Sequence, residues 1–592
     1  MAANSTSNAL VPIEQHALLS DQRTAALVDA NGRITWLCAP RLDDAAVFAE
    51  ILDTPAAGYF SVSATDGVPA TSQRYVGNTM IVETSWPDFT VTDYLDISEE
   101  IAATPAGRSD LIRHLHGSGA ATIEFAPRLD FGRAATSLVA LESGLRVQGA
   151  DFEAALHSLG VTWEITSHGD HQTATADVDL SHGAVTLELR LGTSGVEPGE
   201  AEQTRRDRTA RFWSDWVDAL DLPSVETDFV RRSALTLKAL VYGPTGAIAA
   251  AATTSLPEHI GGERNWDYRY CWLRDGAMTA AALVRLGSNA EGLAFLDWTA
   301  DVLDRAGGQT ENLKPLYTLD GGSLAPETEI AALRGYGGSQ PVRTGNAADA
   351  QIQLDVFGPV VDLAQLLVDH GAQLSDRQWA LVEAMVEAVS VRWTEADQGI
   401  WEVRSAPRHH VYSKVMCWLT VDRAMSIGES RGSINPGWLA LRDEIAADVL
   451  AHGWSDEVDS FTTAYEGTDL DASVLMIGLS GLLDAQNPQF ASTVRAVADQ
   501  LQIGPTVYRY HHEDGLTGVE GGFHLMTSWM VDSLALLGEV DEAKSLLRGI
   551  IATAGPTGLL TEEFDPETQT ALGNFPQAYS HLGVINNAIR LS

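Results

Sequence analysis

The chain has 592 residues, 45% of them apolar and 20% charged, which is enough to bury a large core and more than one ordinary domain needs. Eighty acidic against 38 basic side chains leave a net charge of −42, a field that repels nucleic-acid phosphates and anionic lipid; neither a nucleic-acid nor a membrane partner is expected, and a neutral small molecule is favoured. No apolar run reaches the roughly 18–20 residues that span a bilayer, and the start, Met1-Ala-Ala-Asn-Ser-Thr-Ser-Asn8, has neither a basic nor an apolar leader segment, so the expected location is the cytoplasm.

Residues 1–198 alternate apolar and polar with period two, as at Val161, Trp163 and Ile165 and at Val185, Leu187, Leu189 and Leu191. Turn signals such as Asn31-Gly32 and Ser181-His-Gly183 recur between such runs, which predicts an antiparallel β-sandwich without a catalytic constellation of its own. Residues 199–223 change to helical period, with Phe212, Trp213, Trp216 and Leu220 on one stripe and Pro223 as a stop, and read as a linker helix.

Residues 224–592 read as twelve helical segments, starting near 225, 275, 289, 347, 375, 413, 436, 470, 489, 522, 540 and 575. Connections leaving the even segments are short, whereas those entering them are long, for example 252–273 and 307–345. The even segments are also the more apolar, and a helix apolar all round must be covered on both sides. The pattern predicts an (α/α)6 barrel with the even helices inside and the long loops gathered at one mouth. Cys38, Cys271 and Cys417 are odd in number and far apart, so neither a disulfide framework nor a CxxC metal site is expected.

The long loops carry the chemistry. Trp266-Asp-Tyr-Arg-Tyr-Cys-Trp-Leu-Arg-Asp275 places four aromatics beside acid-base pairs at a helix start, a combination that grips polyhydroxylated ligands, although Asp275 could equally cap the helix and pair with Arg274. Glu402 in Gly399-Ile-Trp-Glu402, and Glu562 or Glu563 in Thr561-Glu-Glu-Phe-Asp565, fall at the predicted mouth. Two carboxyls across one pocket are the minimum for glycoside hydrolysis, and Trp401 would wall Glu402 so as to raise its pKa; either Glu alone reads as well as a solvated loop charge. Tyr508-Arg509-Tyr510 with Glu520, and the Tyr336 loop, suit hydroxyl-rich ligands. The rival for His511-His512-Glu513 is a metal site, but no HExxH spacing supports it; no metal and no cofactor is expected.

Asp267-Tyr-Arg-Tyr270, Trp272-Leu-Arg-Asp275, Trp401-Glu402, Tyr508-Arg509-Tyr510 and Thr561-Glu-Glu-Phe-Asp565, in this order, resemble glycoside hydrolase family 15, the glucoamylase-like enzymes, over nearly the whole chain. The opening, Pro12 to Val28, resembles the bacterial branch with an N-terminal sandwich. The resemblance implies inverting hydrolysis of a terminal α-linked glucose, with Glu402 as general acid and Glu562, followed by a residue, an aromatic and an Asp, as general base. It further implies that Arg274, Asp275 and Arg509 hold the first glucose, that Tyr268 stands near the attacking water, and that Trp272 and Trp401 form pocket wall. Tyr336 stands where fungal members carry Trp, which leaves the second subsite and the linkage open. The favoured expectation is an exo-acting hydrolase of short α-glucosides, of glucoamylase or isomaltose type. A trehalase is the alternative, since bacterial members with this sandwich include trehalases. An inverting phosphorylase, which would replace the base by a phosphate site, and a non-catalytic sugar-binding protein rank lower; self-association is left open.

Overall fold

The period-two alternation near the N-terminus becomes two antiparallel sheets in the computed structural model, which describes residues 10–149, 152–433, 435–512 and 518–592. The leader expected to be absent at residues 1–8, and Glu513 of the metal alternative, lie outside the described residues. One sheet runs His16–Ser20, Ala25–Asp29, Arg33–Cys38, Tyr59–Ala64, Ala120–Ala126, His171–Asp179, Glu164–His168, with Ala46–Phe48 paired beside Arg33–Cys38. The other runs Ser137–Leu141, Gly144–Gln148, Ala154–His157, Val185–Leu191, Ser109–Gly117, Phe89–Leu95, Val82–Ser85, Ser72–Tyr75. Val28, Phe60 and Phe125 from the first meet Val91, Leu115 and Leu187 from the second in one apolar layer, the arrangement of a sandwich. The alternation at 161–165 is only partly strand: Glu164–His168 is the end strand of its sheet, paired on one side, and Trp163 lies before it with its indole N–H on Ser158 Oγ at 2.9 Å.

Helix α1, Glu202–Asp218, follows with Phe212 and Trp213 buried, while Leu220 lies beyond its end. Among the described residues the rest of the chain contributes twelve α-helices. The outer ones are α2 (Thr227–Leu240), α4 (Asn289–Arg305), α6 (Asp376–Arg392), α8 (Pro436–His452), α10 (Pro488–Leu501) and α12 (Val540–Ala552). The inner ones are α3 (Leu273–Arg285), α5 (Phe357–Asp369), α7 (Val411–Arg431), α9 (Met476–Leu479), α11 (His524–Leu536) and α13 (Ala578–Arg590). Each inner helix touches the next and α13 closes on α3, so the ring is complete. In α11 every residue from His524 to Leu534 is buried, as a helix covered on both sides must be.

Two inner segments are shorter than their apolar runs. The fourth starts as isolated 3-10 turns, Ala347–Ala350 and Leu354–Val356, and becomes α-helix only at Phe357, leaving Gln351 and Gln353 in extended backbone. The eighth is a 3-10 turn, Ala472–Leu475, followed by the single turn of α9, and it ends at Gly481 with φ +86°. Among the described residues no helix is long and apolar enough to cross a membrane.

Sandwich and barrel share one core, in which Leu18, Leu27 and Trp36 sit with Leu235, Ala252 and Leu256. The Trp36 indole N–H donates to the Ala252 carbonyl at 2.8 Å, and the Thr557 hydroxyl to the His16 carbonyl at 2.8 Å. Arg269 and Asp267 form a fully buried bidentate pair at 2.8 and 2.6 Å, and the guanidinium lies 5.5 Å from the Phe131 ring and donates to the Asp44 carbonyl of the sandwich. Asp267 and Arg269 are thus engaged with the sandwich, while the intervening Tyr268 lines the barrel pocket. Replacing Arg269 by Leu leaves Asp267 buried and unpaired, a change that costs about 3–5 kcal/mol. The expected outcome is a clear fall in thermal midpoint together with lower activity; an unchanged midpoint would show that the pair bears no weight.

Candidate active site

The loops entering the inner helices meet around an open pocket with about 680 Å³ of empty space, the solvent at its mouth included. Tyr268, Trp272, Arg274, Asp275, Trp401 and Arg509 line it together with Glu402 and Glu562, so most of the residues picked from sequence share one site. Two do not. Tyr336 is buried away from the pocket, its hydroxyl donating to the Val11 carbonyl at 2.9 Å, because it sits on a tight turn with positive φ at Gly335, Gly337 and Gly338 that turns it into the core. Glu520 pairs with Arg509 and with Arg264 (3.3 Å) instead of lining the cavity.

Glu402 ends the turn Gly399-Ile400-Trp401-Glu402, its N–H bonding the Gly399 carbonyl at 3.2 Å, and adopts φ +57°. Left-handed backbone is unfavourable for a residue with a Cβ, by about 1–3 kcal/mol, and such strain collects at working sites. The turn is fixed by its neighbours. Trp272 Nε1 donates to Glu402 Oε1 at 2.6 Å, Gln353 Nε2 to the same oxygen at 3.2 Å, and Gln351 Nε2 to the Glu402 carbonyl at 3.0 Å. The indole on Glu402 is therefore Trp272. Trp401 turns elsewhere, its N–H on Asp471 Oδ2 at 2.6 Å and its ring edge-on to Phe523 at 5.7 Å.

Arg274 and Asp275 open α3 and are buried. Arg274 donates to the Tyr579 hydroxyl (2.9 Å), Gln353 Oε1 (3.1 Å) and Asp355 Oδ2 (2.8 Å), and lies 3.8 Å from Glu402 Oε1. The Tyr579 hydroxyl donates to Asp275 Oδ1 at 2.5 Å. Burial pushes Asp275 up to about 6, against the pull of Arg274 and Tyr579. The pairing expected by the alternative is present, Arg274 Nε lying 3.5 Å from Asp275 Oδ1, and both side chains also line the cavity.

Glu562 is 2% exposed and has no partner on Oε2. Gly573 makes room for it: a Cβ there would stand 2.5 Å from Glu562 Oε2, and its φ of +79° suits only glycine. Burial, then the Glu258 carboxylate, push Glu562 up to about 8, against Arg509 and hydrogen bonding from Tyr268 and the Asn574 backbone. The buried carboxyl among like charges is Glu562. Glu563 is not part of the pocket lining, and its Oε2 accepts the Gly521 N–H at 2.7 Å.

Gln353, Asp355, Tyr579 and Glu258 are not evident from the sequence. Tyr579 had a usable signal: it lies in the first turn of an inner helix, as Arg274 and Asp275 do, and first turns face the mouth. His511 and His512 lie against Tyr508 and Tyr510, with ring centroids 5.1 and 4.6 Å apart. Among the described residues the one triad of acids close enough for a cation is Glu258, Glu520 and Glu563, and the Arg509 guanidinium already lies among them.

Residues 224–589 match the family model of glycosyl hydrolases family 15, and residues 5–213 match a trehalase-like N-terminal model. The chain belongs to glycosyl hydrolases family 15 and is a glycoside hydrolase. It is 35% identical to a trehalase of Mycolicibacterium smegmatis, across 99% of this chain and 92% of that one. It is 34% identical to a trehalase of Thermoplasma acidophilum, across 95% of this chain and 98% of that one. The crystal structure of a bacterial glucoamylase complexed with acarbose matches with TM-score 0.73 over 98% of this chain and 94% of that one; at 14% identity this is a likeness of fold.

The raised carboxyl also bears on stability. Glu562 keeps its proton in the folded chain up to about 8, against an ordinary value of 4.5, so between these limits the folded state binds more protons than the unfolded one and stability falls as pH rises. Glu562→Gln removes that dependence. Its thermal midpoint should exceed the parent's by a margin that is small at pH 5 and grows towards pH 8; a margin independent of pH in thermal scans would contradict the assignment.

Proposed function

We propose that this enzyme hydrolyses α,α-trehalose to two molecules of glucose, with inversion at the cleaved carbon. The observation that carries the substrate is that relatives matching nearly end to end, sandwich included, are trehalases, whereas the likeness to the bacterial glucoamylase is one of fold. This supports the trehalase alternative over the glucoamylase or isomaltose reading favoured from sequence.

The site supports the chemistry. Glu402 Oε1 already accepts two N–H groups, from Trp272 and Gln353, which leaves Oε2 to carry the proton to the glycosidic oxygen. Glu562, with an unpartnered oxygen and a pKa raised by burial, takes the proton of the attacking water in its ionised form. Arg274 and Asp275, already oriented by Tyr579 and Asp355, hold the hydroxyls of the first glucose as the leaving sugar departs. Trp266, with the Arg343 and Arg404 guanidiniums 4.8 and 5.3 Å from its ring, and Arg404 itself border the part of the pocket left for the second.

A panel of trehalose, maltose, isomaltose and maltotriose should release glucose fastest from trehalose. Strong activity on maltose or isomaltose with none on trehalose would overturn the proposal. Inversion predicts equal initial amounts of α- and β-glucose from trehalose by proton NMR, whereas retention gives the α anomer alone. Glu402→Gln and Glu562→Gln should each lower kcat by about 10²–10⁴.

A further inference from the structure

Beside Glu562 lies a buried charge cluster that the reaction as described does not use. Glu258 and Glu563 are 1% and 0% exposed, and with Glu520 they surround the Arg509 guanidinium. Four carboxyls, counting Glu562, are set against two cations, Arg509 and Arg264, and burial pushes the carboxyls of Glu258, Glu562 and Glu563 up. Glu520 takes Arg509 in two bonds, at Nε and at the terminal nitrogen. Glu563 Oε1 lies 3.7 Å from the guanidinium without a hydrogen bond, and burial, then the Glu258 and Glu520 carboxylates, push this carboxyl well above the usual range. Glu258 Oε2 accepts from Arg509 at 3.0 Å; burial pushes this carboxyl up, and Arg509 foremost holds it towards the charged form.

The backbone ties Glu258 to the base. Its N–H donates to the Arg264 carbonyl at 3.1 Å, and the carbonyl of the preceding Pro257 accepts the Gly573 N–H at 2.8 Å. Gly573 is the residue whose missing Cβ admits the Glu562 carboxyl. One turn thereby sets both acids.

We propose that Glu258 is a positioning residue that acts through Glu562: its buried negative charge makes Glu562 a stronger acceptor for the proton of the attacking water, and its bond to Arg509 keeps that guanidinium from neutralising the base. The groups facing Glu562 are Glu258, Glu563, Arg509 and Tyr268, with Glu520 and Arg264 one step further out. Among them Glu258 is the foremost charge that favours the protonated form of Glu562. The inference rests on Glu562 being the general base.

The test is the pH profile of kcat/KM on trehalose for the parent, Glu258→Gln and Glu258→Asp, with Glu562→Gln alongside. Removing the charge should move the acid limb of Glu258→Gln down by about one pH unit, with kcat reduced about three- to tenfold and KM little changed. Glu258→Asp, which withdraws the charge by one methylene, should move the limb in the same direction by less. This variant decides the matter if the Gln form does not fold. A uniform loss with an unmoved limb would show that Glu258 is merely structural and would overturn the proposal. Retention of full activity by Glu562→Gln would instead remove the base assignment beneath it.

Discussion

A helix buried along nearly its whole length, as α11 is from His524 to Leu534, can be stable only if it is covered by neighbours inside and out, and this covering requirement governs the rest of the molecule. Closing α3, α5, α7, α9, α11 and α13 into a ring satisfies it. The closure brings together segments far apart in sequence, such as α3 with α13, and points their first turns at a common pocket. Glu402 and Glu562 lie 160 positions apart and still line one cavity because the ring fixes where their loops begin.

The polar site is expensive for such a scaffold, and neighbouring charges offset the cost. Arg274 serves Asp355 and Tyr579 and stands by Asp275, while Arg509 serves Glu258 and Glu520. Each guanidinium answers several acids at once, which its planar fork allows. Specific placement of protons follows, because acids that cannot all be neutralised differ in how tightly they keep them. Asp275 and Glu562 are both raised by burial, yet they sit beside different cations and so have different proton affinities.

The barrel was legible because its signals are local and repeated: loop length alternates, apolarity alternates, and the two agree. Trp272, Arg274, Asp275, Glu402 and Arg509 were legible as dense motifs at predicted loop ends. Tyr336 misled because glycines around it leave side-chain direction undetermined by any period. Glu520 was seen beside Arg509 but its direction was not, since a carboxylate next to an arginine can face the ligand or hold the arginine. Gln353 and Glu258 are single polar residues in long loops, and their partners lie 49 and 251 positions away, a relation no window along the chain displays. The truncated eighth helix was hidden for a related reason: Gly478 lies so close to Phe490 that a Cβ would stand 2.4 Å from its ring, a contact between elements.

The shared core around Trp36 means that sandwich and barrel are thermodynamically one body, although their sequences follow different periods. A change in the strand at Trp36 or the loop at Phe131 reaches Tyr268 through Arg269 without touching any sugar. The pocket is thus buttressed from behind: Phe131 and Asp44 of the sandwich build the seat of Arg269, and Tyr268 next to it in the chain lines the cavity.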